Sequence, residues 1–229
     1  MIGLFHMQLK VVSKKQIAGT ASLILEKPLN FSFYPGQFLD ISLPIEDRDK
    51  RGNTRAFTIT SSPTENFLQV TFRSGISNFK KHLQNLKPGD QIYATHPSGT
   101  FILDDTEPAV FIAGGIGITP FRSMVKYAVD NNLETPITLI YSNSNPDFLF
   151  KEAFKEWQKQ LPNLKIHYHD SSRIGHLNKE SLSPYCIIHN SSPIFYLAGS
   201  WSFVDGMEKI LLDLEIDPTN IRYDRFDGY

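Results

Sequence analysis

The sequence is poor in the residues that build metal centres and disulfides. Cys186 is the only cysteine, which excludes an internal disulfide, a zinc ribbon and a cysteine-ligated iron–sulfur cluster, since each needs several thiolates. His167 and His169 share one face of a predicted strand, but no acidic or cysteine partner is spaced to complete a metal site. We therefore expect no metal, and any redox group has to be a bound organic cofactor. The apolar surroundings of Cys186 indicate a buried residue rather than a reactive thiol.

An excess of charge and long apolar runs are also missing. The 23 Lys and Arg residues nearly balance the 24 Asp and Glu residues, for a net charge of -1, so no basic surface for nucleic acid is expected. No apolar run approaches the ~20 residues that span a bilayer, and residues 1–10 lack the pattern of a signal peptide. We expect a cytoplasmic protein without a nucleic-acid partner or a transmembrane segment, and take a monomer as the working expectation.

The pattern of elements changes once along the chain. Up to residue 103, short strand patterns alternate with turns such as Pro35-Gly36 and Pro88-Gly89, and one short helix is predicted at residues 77–85. From residue 104, strands alternate with helices, as in a parallel sheet covered on both faces. We predict two domains: an N-terminal antiparallel β-barrel over residues 1–103 and an α/β Rossmann-like domain over residues 104–229.

A glycine-rich turn is the most informative stretch of the second domain. Gly114, Gly115 and Gly117 follow the apolar strand pattern at residues 110–112 and precede a helical pattern that begins at Phe121. Glycine lets backbone N–H groups approach phosphate oxygens, and a helix N-terminus adds partial positive charge. The turn therefore favours a nucleotide site, although a tight strand-to-helix turn of any α/β protein has the same pattern.

The first domain contains a second informative stretch. On an extended strand Arg55, Phe57 and Ile59 share one side, and Thr58 points to the other. A guanidinium suits a diphosphate, an aromatic ring suits a flat heterocycle, and a hydroxyl suits its ring nitrogens. Ser77 is placed to cap the following helix and to provide a further anion-binding helix start. Each feature alone fits equally well an edge strand with a surface arginine or an ordinary helix cap.

Four motifs follow one another in a fixed order and cover nearly the whole chain. They are Pro35-Gly36-Gln37-Phe38, Arg55-x-Phe57-Thr58-x-x-Ser61, Gly75-x-Ser77 and Gly114-Gly115-x-Gly117-x-Thr119-Pro120. This order resembles the ferredoxin–NADP reductase superfamily of flavin oxidoreductases. Gly199 and the ending Phe226-Asp227-Gly228-Tyr229 also resemble features of that family.

The resemblance implies a flavin enzyme with FAD in the barrel domain and NADH or NADPH in the α/β domain. Such an enzyme takes a hydride from NAD(P)H onto FAD and passes electrons to a separate protein carrier or a small acceptor, as ferredoxin and flavodoxin reductases do. The alternative is a non-catalytic subunit of the same fold that binds flavin or nucleotide and serves in regulation or docking.

The resemblance also implies roles for individual residues. Those for FAD are Arg55, Phe57, Thr58, Ser61, Arg73, Gly75 and Ser77, and those for the nicotinamide dinucleotide are Gly114, Gly115, Gly117, Thr119, Ser172, Arg173 and Gly199. Thr58, near the reactive flavin nitrogen, and Tyr229 are the candidate catalytic residues. In some relatives a terminal aromatic covers the flavin, so Tyr229 either gates the nicotinamide or only packs the terminus.

The sequence departs from the family pattern at two places. Phe57 and Thr58 replace the usual tyrosine and serine, which retains a ring and a hydroxyl, and Ala198-Gly199-Ser200 replaces Cys-Gly-Pro, which leaves no thiol beside the nicotinamide. The choice of nicotinamide cofactor stays open. Ser144 stands where some relatives carry an arginine, which favours NADH, whereas Ser172-Arg173 resembles a pair that binds the 2′-phosphate of NADPH, or is an ordinary exposed loop.

Overall fold

The chain forms two compact units, Met1–Ile102 and Leu103–Tyr229. The structure is a computed structural model and describes residues 7–17, 19–46, 50–186 and 193–226. The division between the units falls one residue before the boundary predicted from the sequence.

The first unit is the predicted antiparallel barrel. Its strands are β1 (Met7–Ile17), β2 (Thr20–Glu26), β3 (Phe38–Ser42), β4 (Thr54–Thr58), β5 (Phe67–Arg73) and β6 (Gln91–Ala94), and α1 (Asn78–Asn85) lies between β5 and β6 in the chain. The strands pair in the order β4-β3-β6-β1-β2-β5. A bridge between Ile59 and Val70 and a 2.7 Å hydrogen bond from the Thr60 N–H to the Gln69 carbonyl join the two ends of this order.

Alternation along the strands fills the barrel. Every second residue of β2 and β3 is apolar and points inward, because successive side chains of a strand face opposite sides of the sheet. Leu23, Leu39 and Ile41 are all 0 % exposed. Helix α1 adds Phe79 and Leu83 to the same core. The helix prediction at residues 77–85 is confirmed, with Ser77 as the cap that accepts from the Lys80 N–H at 3.3 Å.

The second unit is the predicted α/β domain. Its parallel strands are β7 (Ala109–Gly114), β8 (Ile137–Asn143), β9 (Leu164–Asp170), β10 (Ile194–Ser200) and β11 (Ile221–Phe226), in the order β11-β10-β7-β8-β9. Its helices are α2 (Ile118–Asp130), α3 (Lys151–Gln160), α4 (Ser171–Ile174), α5 (Lys179–Leu182) and α6 (Trp201–Asp213). The order runs outward from β7 in both directions, so the carboxyl ends of β7 and β10 form the topological switch point at which open α/β sheets bind ligands.

Aromatic and aliphatic side chains cover both faces of this sheet. On one face the ring of Phe111 stacks on Phe121 of α2, with centroids 4.8 Å apart, and meets Tyr196 edge-on at 5.3 Å. On the other face Val204 and Leu211 of α6, both 0 % exposed, pack on the apolar residues of β7 and β10. In the part of the chain that is described, none of the helices has the length and apolarity needed to cross a membrane.

The edge strand β11 was not predicted from the sequence. Three of its six residues are charged, and Arg222 has tertiary partners: it donates to the Asp104 carboxylate at 3.2 Å and to the Tyr196 hydroxyl at 3.0 Å. The Asp104 N–H donates to the same hydroxyl at 2.9 Å. The contacts of this strand therefore connect it to the first residues of the unit.

Asp224 of β11 gives the unit a predictable pH dependence. Burial beside β10 raises the pKa of its carboxyl to about 6, against about 3.9 in an unfolded chain. The folded state therefore holds this proton more tightly, and the free energy of unfolding falls as the pH rises from about 4 to about 6. Asp224→Asn should remove this fall. The difference in the free energy of unfolding between variant and wild type, measured in urea, should therefore shift by about 1–2 kcal/mol in favour of the variant between about pH 4 and neutral pH.

Asp217 provides a control of opposite sign. Its carboxylate accepts from the Thr219 hydroxyl and N–H, which holds the pKa of Asp217 below its usual value. The stability from this carboxylate is present above the unfolded pKa and is lost as the pH falls, so Asp217→Asn should become less stable relative to the wild type as the pH rises. A difference between Asp224→Asn and the wild type that does not change with pH would contradict the assignment.

Candidate functional site

The three glycines of the turn after β7 are required for different physical reasons. Gly115 has a φ of 56°, in the left-handed region that favours glycine. A Cβ at Gly117 would overlap the carbonyl group of Ala198 and lie 2.7 Å from the Gly199 nitrogen, and a Cβ at Gly114 would lie 2.6 Å from the ring of Phe203. Gly114 and Gly117 are thus required for packing inside the protein. Of the three glycines, Gly115 is the one to which we assign the predicted close approach of a ligand.

The end of β10 meets the same turn. A Cβ at Gly199 would lie 2.9 Å from the Phe203 ring and 3.3 Å from the Gly114 carbonyl oxygen. The half-buried Phe203 ring therefore covers Gly114 and Gly199 together at the switch point. The Phe203 N–H donates to the hydroxyl of Ser200, the cap of α6, at 3.4 Å, which fixes the start of this helix over the strand ends.

A cleft of about 530 Å³ opens beside this turn. Its volume lies within the ~300–1,000 Å³ that is usual for ligand and cofactor sites. Its polar lining comes from the carboxyl ends of the strands and the loops beyond them, at Ser142, Asn143, Ser144, Ser171, Ser200 and Ser202. Its apolar lining comes mainly from α6 and includes Leu177, Phe203, Met207 and Ile210. No acidic side chain belongs to this lining among the described residues, which suits an anionic ligand.

Two candidate residues of this unit have their hydroxyls engaged within the protein. Thr119 is 2 % exposed, and its hydroxyl donates to the Ile116 carbonyl at 3.1 Å. The Ser172 hydroxyl donates to the Asp170 carboxylate at 2.6 Å, in the short helix α4. Arg173 of α4 is exposed, and the cleft lining includes Ser171 and His176 rather than Ser172 and Arg173. The use of these residues for a dinucleotide remains a prediction.

The histidines of β9 are held by neighbouring groups. The His169 Nε2 atom lies 2.8 Å from the Gly175 carbonyl oxygen, and the His167 ring lies 5.3 Å from that of Tyr185. Burial lowers the pKa of His167, and the nearby Lys165 lowers it further. Within the described ranges, no three His, Cys, Asp or Glu side chains come close enough together to hold a metal ion.

In the barrel, Arg55 organises the loop that precedes β4. Its side chain is 8 % exposed, and its Nη1 atom donates to the carbonyl oxygens of Arg51, Gly52 and Thr54 at 2.8, 3.2 and 2.7 Å. Its Cζ atom lies 5.0 Å from the centroid of the Phe79 ring, a cation–π contact with helix α1. Arg55 therefore ties the 51–54 loop to the helix that Ser77 caps.

A cluster of positive charge lies at the start of this helix. Burial lowers the pKa of Lys80, and the positive charges of Arg73 and Arg51 lower it further. A Cβ at Gly75 would touch the Lys80 side chain, so the lysine folds over the turn between β5 and α1. Three cations beside a helix N-terminus are a favourable environment for a diphosphate. Lys80 was missed by sequence reasoning, because only its position three residues after the cap distinguishes it from Lys81.

The remaining barrel candidates contribute mainly to packing. Phe57 is 9 % exposed, and its ring packs against Phe72 at 5.8 Å and stacks on Phe79 at 6.1 Å. Ser61 is 0 % exposed and its hydroxyl accepts from the Gln69 N–H at 2.9 Å. Thr58, at 8 % exposure, ends β4. The roles assigned to these residues towards flavin remain predictions, and Tyr229 lies outside the described residues.

Comparison with known proteins fits this two-part arrangement. Residues 111–209 match the family model described as the oxidoreductase NAD-binding domain. Flavohemoprotein A of Dictyostelium discoideum is 25% identical over 214 residues, which cover 85% of this chain and 53% of that protein. The chain thus spans about half the length of the curated relatives it matches.

Solved structures show the same fold over both units. The flavohem-like FAD/NAD-binding domain of nitric oxide dioxygenase from Vibrio cholerae superposes with a TM-score of 0.81 at 21% identity, over 96% of this chain and 98% of that one. Ferredoxin-NADP+ reductase from Plasmodium falciparum superposes with a TM-score of 0.80 at 22% identity, over 96% of both chains. The chain therefore shares the two-unit fold of these proteins, and its residues 111–209 resemble an oxidoreductase NAD-binding domain.

The described residues fit the two cofactors that the sequence leads us to expect, FAD and a nicotinamide dinucleotide. The cleft beside Gly115 offers a glycine turn, a helix start and a polar rim without carboxylates in its described lining, as a nicotinamide dinucleotide requires. The cations Arg51, Arg73 and Lys80 at the start of α1 offer the charge that a flavin diphosphate requires. Each site is formed by the backbone shape and the charges of one unit alone: the α/β unit for the dinucleotide and the barrel for FAD.

The contact between Gly114 and Phe203 can be tested by a double-mutant cycle. Gly114 has a φ of -109°, which alanine adopts readily, so Gly114→Ala should destabilise the protein only through overlap with the ring, by about 1–3 kcal/mol. In a Phe203→Ala background the same substitution should cost almost nothing. Urea unfolding of the four proteins measures the coupling.

Gly117→Ala is the matched control for this cycle. Its Cβ would meet the backbone of Ala198 and Gly199 instead of a side chain. Its cost should therefore be the same with and without the Phe203 ring. Equal costs of Gly114→Ala in both backgrounds would show that the ring does not occupy the space above Gly114.

Proposed function

We propose that the chain is an NAD(P)H-dependent FAD oxidoreductase that passes electrons to a separate protein carrier or a small acceptor. The observation that carries the proposal is the cleft at the switch point of the parallel sheet, with the glycine turn of Gly114, Gly115 and Gly117 at its edge. Sites at switch points hold nucleotides in open α/β sheets. The match of residues 111–209 to an oxidoreductase NAD-binding family supports the same assignment.

The α/β unit would hold and orient the nicotinamide dinucleotide. Gly115 brings backbone N–H groups close to the diphosphate without a side chain in the way, and the positive end of α2 adds to the attraction. The serines at the strand ends offer hydroxyls to the riboses. Neither role requires a general acid or base.

The barrel would hold FAD. Arg73 and Lys80, with the start of α1 at Ser77, supply charge and N–H groups for its diphosphate, and Arg55 keeps the adjoining loop in position. Thr58 at the end of β4 would hydrogen-bond the reactive edge of the flavin ring. FAD, when bound, supplies the redox chemistry, because it accepts a hydride and releases electrons singly or in pairs.

The acceptor would lie outside the two units. The single Cys186 leaves no thiolate set for an iron–sulfur cluster in these residues. Electrons that enter the flavin would therefore leave these residues for an acceptor beyond them, and we propose a carrier protein or a diffusible molecule. We propose that Ser144, which lines the cleft, and Ser172 and Arg173 of α4 decide between NADH and NADPH.

The purified protein tests the proposal directly. After incubation with FAD and gel filtration, it should show a flavin absorption spectrum, and anaerobic mixing with NADH or NADPH should bleach it. A colourless protein that neither takes up FAD nor oxidises either nicotinamide would overturn the proposal. Flavin that binds without bleaching would favour the alternative of a non-catalytic subunit.

Arg55→Ala tests the flavin site. The variant loses the contacts of the guanidinium to the 51–54 loop and to Phe79, which hold the loop that carries Arg51 beside the proposed diphosphate site. We expect a loss of about 2 kcal/mol in FAD binding, or roughly 30-fold in Kd, measured by titration of the apoprotein. Lys81→Ala, at an exposed position of α1, is the control and should leave the Kd unchanged. Wild-type affinity in Arg55→Ala would contradict the assignment.

Gly115→Val tests the turn. The left-handed φ of 56° is unfavourable for a β-branched residue, and the side chain would stand at the edge of the cleft. Reduction of bound flavin by NAD(P)H should slow at least tenfold in stopped-flow measurements while FAD remains bound. Gly115→Asn tolerates the left-handed region and thereby separates backbone strain from bulk. Unchanged reduction rates in both variants would remove Gly115 from the site.

A further inference from the structure

Helix α6 contains a glycine in its interior. Gly206 is the sixth of the thirteen residues of α6 and the only glycine inside an α-helix of the described ranges. Glycine is the least favourable residue in a helix interior after proline, because it loses the most backbone entropy on folding. A glycine at this position therefore calls for a compensating reason.

Packing within the protein does not supply that reason. Apart from the adjoining residues and the nearby backbone of α6 itself, no atom of the described chain lies within 4 Å of the position that a Cβ at Gly206 would take. In contrast, a Cβ at Gly114 or Gly117 would collide with Phe203 or with the backbone of β10. The space beside Gly206 is the cleft itself, since this residue belongs to its lining.

The missing side chain produces a slot in an otherwise apolar wall. Phe203 and Ile210 stand three residues before and four residues after Gly206, so the three residues share one face of α6. All three line the cleft, together with Leu177 and His176. Between these two large side chains the cleft is bordered by the bare backbone of Gly206 and by the side chain of Met207, which is only 6 % exposed. A slot of this shape accommodates a flat, largely apolar ring.

We propose that Gly206 is a ligand-contact residue that receives the adenine ring of the nicotinamide dinucleotide between Phe203 and Ile210. This inference rests on the proposed function. The adenine is the ring concerned, because the nicotinamide has to leave the cleft wall to meet the group that accepts its hydride. The adenine has no such constraint and can lie against the helix of its own domain.

Two substitutions at Gly206 separate helix stability from ligand binding. Gly206→Ala should raise the Tm of the unliganded protein by about 2–4 °C, because alanine is the best helix former and meets open space. The same methyl group narrows the slot, so the Kd for ADP-ribose should rise about tenfold. Gly206→Leu fills the slot, and its Kd should rise more than about a hundredfold. Isothermal titration calorimetry measures both constants.

The controls locate the effect. Lys209→Ala, on the exposed part of α6, should leave the Kd for ADP-ribose unchanged. Nicotinamide mononucleotide lacks the adenosine half, so its binding, followed by saturation-transfer NMR, should be the same in wild type, Gly206→Ala and Gly206→Leu.

The outcomes distinguish this inference from the proposed function. A wild type that binds neither ADP-ribose nor NAD(P)H overturns the proposed function and the inference with it. A wild type that binds ADP-ribose, with unchanged affinity in both Gly206 variants, overturns only the inference. Weaker binding of nicotinamide mononucleotide with unchanged binding of ADP-ribose would assign the slot to the nicotinamide half and would likewise overturn it.

Discussion

The close approach between Gly117 and the Ala198 carbonyl is the constraint on which the α/β unit depends. No side chain fits between them, so the turn after β7 lies directly against the end of β10. This contact fixes where α2 begins relative to the two central strands. It also fixes the space above Gly114 and Gly199, which the Phe203 ring covers from α6. The cleft is what remains between this packed turn, the strand ends and the helix.

The four glycines near the cleft show that one residue type serves several physical purposes. Gly115 provides a backbone conformation, Gly114 and Gly117 permit close packing, and Gly206 leaves open space. Gly114 also lines the cleft but is explained by the Phe203 ring, whereas Gly206 lines the cleft beside open space. The glycines of one motif therefore have different roles. Those that concern a ligand are distinguished by the atoms that a Cβ at each position would meet.

Most of the fold could be predicted from the sequence because its signals are local. The apolar runs of β7, β8 and β10, the alternation in the barrel and the cap at Ser77 each depend on residues close together in the chain. Strand β11 could not be predicted, since Arg222 and Arg225 find their partners in Asp104, Asp205 and Glu208 far along the chain. Such ion pairs stabilise a strand that its own polar sequence does not predict.

The site was less predictable, because its residues depend on which neighbours they find. Arg55 was expected to face a ligand, yet its Nη1 atom bonds three carbonyls of its own loop. Lys80, which the sequence did not distinguish, joins the positive cluster through the fold of the 73–80 segment. Charge for a diphosphate is thus delivered by Arg73 and Lys80, while Arg55 holds the loop beside them. The arginine motif acts first on the architecture of the barrel, and any effect on a ligand follows from that architecture.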